Sequence, residues 1–310
     1  AGDLGGAASF TYTHRNLFKG AENFSLKLRG AYETISRLQG YANQNYIEYG
    51  AEAALRFPSL PLSFGERMFR SYRGITEFSL LYNSQNRPEF YRRLLTGTWS
   101  TTWNAHRKPN LQHRFDIVSL NYVFMPWISS TFRREYLEGD NPRYAVLRNS
   151  YENLFIMRSA YGIVYNSLRG RNGGSLNQTD GYQIKANVET AGNLLYGVAK
   201  VLDIHKNAND AYAIFNIPFS QYVKFDFDYS KSFRFTEASS LALHAAFGVA
   251  IPYGNSEIIP YEKRYFAGGA NSVRGWNVRT LGPGGYVGRD GNIDFINQTG
   301  NLKLDFSVEY

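Results

Sequence analysis

Long segments in which apolar and polar residues alternate most constrain what this chain can fold into. In residues 223–229, Phe225 and Phe227 alternate with Lys224 and Asp226. A period of two puts successive side chains on opposite faces, so each such segment predicts a β-strand with one apolar and one charged face. The same pattern recurs in residues 24–33, 182–189, 241–251 and 302–310.

The length of these segments distinguishes between the possible β-folds. Less regular alternation predicts further strands at 8–13, 46–57, 76–83, 91–103, 113–124 and 153–166. Many of the predicted strands are roughly 9–13 residues long, enough to cross a membrane at a tilt, whereas strands of soluble sandwiches average about 5–6 residues. No apolar run approaches the ~18 residues of a membrane-spanning helix. We therefore predict an all-β fold, a transmembrane antiparallel β-barrel with a charged, water-filled lumen.

Composition agrees with a membrane barrel and argues against several kinds of functional site. The chain has 24 Tyr and 22 Phe, which fits rings at a membrane interface as well as a Tyr-rich soluble sandwich. It has no Cys, and its five His are dispersed, so we expect no metal site and no cofactor. The net charge of +8 is spread evenly, which argues against nucleic acid as a partner. No catalytic motif is present, and we expect no enzyme.

Two segments depart from the alternating pattern. Residues 126–137 and 192–205 have apolar side chains at helical spacing, and the first of them begins with Pro. We expect two short amphipathic helices, which lie at the membrane interface or cover a mouth of the barrel.

Residues 264–285, RYFAGGANSVRGWNVRTLGPGG, combine arginines, glycines and aromatic residues between two alternating segments. This segment resembles the sixth extracellular loop of the barrel-assembly superfamily of outer-membrane proteins, which includes insertases of the BamA and TamA type and two-partner-secretion transporters. Trp276 stands where Phe or Tyr is commoner. The residues that carry the motif are Phe266, Ala267, Gly268, Gly269, Val273, Arg274, Gly275 and Trp276.

The resemblance extends along the whole chain. Residues 8–33 are similar to the family's first hairpin, and residues 302–310 to the strand that follows the sixth loop. The resemblance implies a barrel of sixteen strands, about twelve of them within this chain, with the sixth loop folded into the lumen. Residues 1–310 would then form one barrel domain, with its closing C-terminal strands missing and the periplasmic POTRA domains absent from this chain.

The resemblance also implies a function in the bacterial outer membrane. The expected activity is the folding and insertion, or the translocation, of β-barrel proteins through a lateral gate at the first strand. The expected partners are unfolded outer-membrane β-barrel proteins, outer-membrane lipid, and accessory periplasmic or lipoprotein subunits. Two alternatives stay open, a secretion pore of the two-partner type and a passive porin-like channel.

Two sets of residues follow as candidates for this function. The expected partner of Arg274 in the lumen is Glu309, because the family places an acid at this position of the closing strand and Val308-Glu309-Tyr310 matches that pattern. The expected gate strand contains small residues, which either weaken its pairing or mark a frayed N-terminal segment. Its residues are Gly6, Ala7, Ala8, Ser9, Phe10, Thr11 and Tyr12.

Overall fold

One large antiparallel sheet makes up most of the molecule. A computed structural model describes residues 4–35, 44–58, 74–105, 108–138, 151–168, 180–204, 206–207, 211–214, 217–269, 272–276, 278–279, 281 and 299–310. The glycine-rich residues 282–288 lie outside these ranges. The strands are β1 (Leu4–Arg15), β2 (Asn23–Ile35), β3 (Gln44–Phe57), β4 (Gly74–Asn86), β5 (Phe90–Ala105), β6 (Lys108–Ile128), β7 (Leu154–Asn166), β8 (Gly181–Ala191), β9 (Ala213–Ile214), β10 (Ile217–Pro218), β11 (Tyr222–Arg234), β12 (Ser240–Pro252) and β13 (Leu302–Glu309).

The sheet has eleven strands in the order β1-β2-β3-β4-β5-β6-β7-β8-β11-β12-β13, and β9 and β10 form a separate hairpin. Each pair of neighbours is antiparallel. Every strand predicted from the alternation is present, which confirms the predicted all-β class. Within the described residues, no helix combines the length and the apolar character needed to cross a membrane.

The register of the strands keeps like residues on the same face of the sheet. Phe225 of β11 lies opposite Val188 of β8 and Val249 of β12, whereas Asp226 lies opposite Asn187 and Gly248. The apolar face is strongly exposed at the β13 edge, where Phe306 is 74% accessible. An exposed apolar face opposite a charged face is the arrangement of a barrel wall between lipid and a polar lumen.

The first predicted helix is shorter than expected. Strand β6 continues to Ile128, and only Ser130–Phe132 (α1) and a π-helical turn at Arg133–Leu137 follow it. Pairing with β5 keeps residues 126–128 extended, and Pro126 falls in the register shift between Tyr91 and Arg93. Proline is tolerated there because a bulge has no ladder hydrogen bond for it to donate.

The second predicted helix is present as α2 (Asn193–Val201). Its residues Leu195 and Tyr196 pack against the buried Phe155 and Phe219. A second buried cluster lies at the same end of the sheet and includes a residue from the segment after β12. Its members are Ile156, Ala191, Tyr222, Ala250 and Ile259. The packed part of the molecule thus lies at the end of the sheet where the long loop leaves β12.

Candidate functional site

The segment that follows β12 lies on the charged face of the sheet. A 3-10 turn at Tyr261–Lys263 begins the part whose polar side chains pair with the charged face. From there onward, side chains of the segment contact β5, β8, β11 and β13 in turn. The contacts join Glu262 to Arg92, Lys263 to Glu189, Tyr265 to Asp226, Ser272 to Asp305, and Arg274 to Glu309.

Glu189 of β8 is the centre of the first anchor and is buried. Its Oε1 atom lies 2.9 Å from Lys263 Nζ and accepts a hydrogen bond of 2.5 Å from the Tyr222 hydroxyl. Its Oε2 atom lies 3.1 Å from Arg158 Nη1, which is also 3.3 Å from Asp116 Oδ2. Two cations and two carboxylates therefore balance one another within a buried network, which we call the Glu189 network.

The ammonium of Lys263 comes from the loop and is held between these strands. Burial lowers the pKa of Lys263, and the Glu189 carboxylate opposes that effect. The buried charge of Lys263 therefore needs the Glu189 carboxylate beside it, since a buried charge is stable only when it is paired. The Glu189 network fixes the point at which the loop enters the charged face.

Tyr265 is the second anchor. Its hydroxyl donates hydrogen bonds to Asp226 Oδ1 at 2.6 Å and to the Phe225 carbonyl at 3.2 Å. Burial and the bond to Asp226 raise the pKa of Tyr265. The ring lies directly over Gly248 of β12, where a Cβ atom would stand 2.5 Å from Tyr265 Cζ. Glycine at position 248 therefore makes the close approach of the ring possible.

Backbone hydrogen bonds at Tyr265 join the two ends of the motif-bearing loop. Tyr265 and Gly300 exchange two hydrogen bonds, of 2.9 and 2.8 Å. The motif residues lie between them and fold back on themselves, since Gly269 N bonds to Trp276 O at 2.9 Å and Arg279 N bonds to Ala267 O at 3.0 Å. Gly268 and Gly269 have φ values of 90° and 94°, which only glycine adopts at low cost.

Arg279 lies between two aromatic rings of the loop. Its guanidinium carbon lies 4.5 Å from the centroid of the Phe266 ring and 4.7 Å from that of the Tyr261 ring. These distances are those of cation–π contacts. They join the motif residue Phe266 to the 3-10 turn that contains the first anchor.

The structure brings Arg274 and Glu309 together, with Nη2 2.8 Å from Oε1. Their side chains are 73% and 62% exposed, in contrast to the Glu189 network. Nearby, Ser272 Oγ donates to Asp305 Oδ2 at 3.1 Å. Val273 and Trp276 are exposed rather than packed against the wall of the sheet.

The candidate gate residues lie at the other edge of the sheet. Gly6 to Tyr12 all belong to β1, whose neighbour in the described sheet is β2. Phe10 and Tyr12 are exposed on the apolar face, and a Cβ atom at Gly6 would meet nothing within 4 Å. The two predicted sets of residues therefore lie at opposite edges, one at β1 and the other at β13.

Glu189, Arg158, Lys263, Tyr265 and Arg279 were not predicted from the sequence. Each carries the charge or ring of an ordinary polar-face or loop residue, and the acids and bases of every strand show the same local pattern. The only feature of the sequence that could have pointed to these residues was the position of Lys263 and Tyr265 directly before the motif. Their partners on β8 and β11 depend on the strand register.

Comparisons with known proteins place this geometry in a family. No curated protein matches the chain. Among solved structures, a crystal structure of BamA from Haemophilus ducreyi that lacks POTRA domains 1–3 is similar, with a TM-score of 0.55 and 15% sequence identity. The match covers 97% of this chain and 49% of that one, so the chain spans about half the length of that structure. At this identity the likeness shows the fold.

A family match gives the wider assignment. The profile of the Omp85 superfamily domain matches residues 3–310, and this confirms the resemblance found in the loop motif. The chain belongs to the Omp85 superfamily of bacterial outer-membrane β-barrel proteins.

Proposed function

We propose that this chain is the barrel of an assembly factor that folds and inserts, or translocates, other outer-membrane β-barrel proteins without covalent chemistry. The observation that carries the proposal is the anchored loop, whose motif lies on the charged face of an Omp85 sheet. Three contacts hold the loop over the charged face, at Lys263, Tyr265 and Arg274. The substrates would be unfolded β-barrel proteins, and accessory periplasmic or lipoprotein subunits would deliver them.

The loop contacts the strands near one edge of the sheet and not those near the other. The loop joins β5, β8, β11 and β13, so it braces the C-terminal part of the sheet. None of the loop contacts described above reaches β1 or β2. We propose that the N-terminal edge of the sheet, at Gly6–Tyr12, is the side on which the barrel opens.

An opened edge would attract a substrate strand. Within lipid each unpaired backbone N–H or C=O group costs several kcal/mol, so an incoming strand that pairs with the edge is strongly favoured. Strand addition of this kind needs no cofactor. Gly6, Ala7 and Ala8 offer little side-chain packing to a competing strand, which makes pairing at this edge easy to exchange.

The test is a folding assay with the full-length protein in lipid vesicles. An unfolded outer-membrane β-barrel protein is added, and its folded fraction is followed by heat-modifiable migration on gels. We expect faster folding than in empty vesicles and a loss of the acceleration in an Arg274→Ala variant. Equal rates with and without correctly inserted protein would contradict the proposal.

The same vesicles distinguish the two alternatives. A passive channel would conduct ions without accelerating substrate folding. A dedicated secretion pore would carry one exported protein across the bilayer and leave the folding of unrelated barrels unchanged. Either result would replace the assembly function with a transport function.

A further inference from the structure

Helix α2 packs on the apolar face of the sheet, the face opposite to the one that carries the loop. Tyr161 of β7 lies opposite Val188, which shares the apolar face with Phe225. Phe155 is on the same strand as Tyr161 and an even number of residues away, so its side chain lies on the apolar face too. Leu195 of α2 packs against Phe155. The helix therefore lies on the side of the barrel wall that faces lipid.

Three different faces run along α2. Successive residues of a helix are about 100° apart, so Leu195 and Ala199 lie on one face, and Ala199 is buried against the molecule. Asn193 and Lys200 lie on a second, polar face. The third face is apolar and continues past the last turn of the helix, and all of its members are exposed. They are Leu194, Val198, Val201 and Leu202, of which Val201 is 84% and Leu202 66% exposed.

Contacts at the first turn fix the orientation of α2. Asn193 Oδ1 accepts hydrogen bonds from Gln221 Nε2 at 3.0 Å and from the Tyr253 hydroxyl at 2.7 Å. Just before the helix, the Gly192 N–H donates to the Met157 carbonyl at 2.8 Å, with Gly192 at a φ of 76° that suits glycine. These contacts hold the exposed apolar face of α2 in one direction.

Aromatic side chains mark the membrane surface at the level of α2. Tyr122 of β6 lies opposite Phe155, and its ring stacks on that of Phe124. Further toward the same end of the sheet, the exposed rings of Tyr91 and Trp127 lie 4.8 Å apart. Barrel walls carry such aromatic girdles where the acyl chains meet the headgroups. A helix that packs beside Tyr122 therefore lies at this boundary.

Two cations lie at the edge of the same platform. Lys200 Nζ lies 4.9 Å from the centroid of the Tyr196 ring, and Lys206 Nζ lies 5.6 Å from that of the Tyr212 ring. The two rings pack edge to face, with centroids 5.4 Å apart. Asp203 is the one acid in the sequence between residues 192 and 207. Lysines beside an apolar helix face are typical of helices that lie in the plane of a membrane surface.

We propose that α2 is an in-plane lipid anchor, whose exposed apolar face enters the acyl chains while Lys200 and Lys206 contact the phosphates of the headgroups. The occupant is lipid because this face continues the apolar wall, and lipid covers that wall in a folded barrel. A helix lying flat against the wall has three surroundings, which are the sheet, the acyl chains and water. The three faces of α2 match these surroundings. The anchor does not depend on the proposed assembly function.

Spin labels in lipid nanodiscs, which leave both membrane surfaces open to solution, test this placement. The 310 residues contain no cysteine, so a nitroxide on one introduced cysteine reports on one position, once any cysteine elsewhere in the full-length protein is replaced. Labels on Val198→Cys and Val201→Cys should collide more with oxygen than with a water-soluble nickel chelate. The label on Lys200→Cys, from the polar face, is the matched control and should show the reverse.

Two results of this measurement would overturn the inference. Greater access of the nickel chelate than of oxygen at Val201 would place the apolar face in water. Low access of both reagents at Val201 would mean that protein covers the face, from a second copy or from another part of the chain.

A charge placed on the apolar face gives a second test. Val201→Glu should make residues 192–204 several-fold more sensitive to proteinase K in nanodiscs, because a carboxylate there resists entry into the acyl chains. Val201→Leu, which stays apolar, is the matched control and should be cleaved like the parent protein. Val201 is largely exposed, so both variants should fold alike in detergent, which heat-modifiable migration on gels checks. Equal cleavage of the two folded variants would contradict the lipid anchor.

Discussion

Two of the ion pairs that hold the loop to the sheet lie in opposite environments. Lys263 and Glu189 have side chains only 16% and 8% exposed, whereas Arg274 and Glu309 are 73% and 62% exposed. Removing one member of a buried pair leaves an uncompensated charge, at a cost of about 3–5 kcal/mol. An exposed pair contributes only about 0–1 kcal/mol. The buried pair therefore determines where the loop lies, and the exposed pair is free to serve function.

The largest effect should come from Glu189. Glu189→Gln leaves Lys263 and Arg158 buried with half of their negative partners removed, so we expect the free energy of unfolding to fall by about 3–5 kcal/mol. Denaturant unfolding in detergent micelles measures the change. Glu237→Gln, at an exposed acid in a turn, is the matched control and should change little. An equal, small effect of both variants would show that the Glu189 network does not hold the loop.

A smaller loss is expected for Lys263→Met, which keeps the length of the side chain and removes its charge. Glu189 retains Arg158 and the Tyr222 hydroxyl, so the cost should be about 1.5–3 kcal/mol, that of a hydrogen bond to a charged group. The double variant with Glu189→Gln should be more stable than the sum of the single changes predicts. Strict additivity in the same unfolding assay would mean that the two residues act independently.

The Tyr265 anchor can be tested without altering a charge. Gly248→Ala places a Cβ atom 2.5 Å from Tyr265 Cζ, so the ring must move, at a cost of about 1–3 kcal/mol. We expect faster protease cleavage within residues 253–281. Gly197→Ala in α2 is the matched control, since a Cβ there meets nothing within 4 Å and should stabilise the helix by about 0.5–1 kcal/mol. Unchanged cleavage of Gly248→Ala would remove Tyr265 as an anchor.

The smallest effect on stability, and the clearest effect on activity, is expected at Arg274. Arg274→Ala should lower the free energy of unfolding by no more than about 1 kcal/mol, yet abolish the acceleration of substrate folding. Arg56→Ala breaks another exposed ion pair, with Glu77, and should match it in stability while it keeps activity. A loss of stability as large as that of Glu189→Gln would make Arg274 a structural residue and remove the contrast between the two pairs.

The sequence alone predicted much of the fold, because a strand with two different faces shows its period within a few residues. All eleven strands of the sheet coincide with alternating segments. The exception at Pro126 has a nonlocal cause, since pairing with β5 extends β6 through a segment that has helical spacing. The loop motif was also recognisable locally, from its glycines, Arg274 and Trp276.

The tertiary structure decided which charges meet and which strands lie at the edges of the described sheet. Glu189 and Lys263 are distant in the sequence, and only the register of β8 beside β11 brings the carboxylate under the loop. The parallel direction of β1 and β13 likewise follows from counting paired strands, which no single segment reveals. Alternation is a local property set by the geometry of one strand. Which charges pair and which strands lie at an edge depend instead on the order, direction and register of several strands.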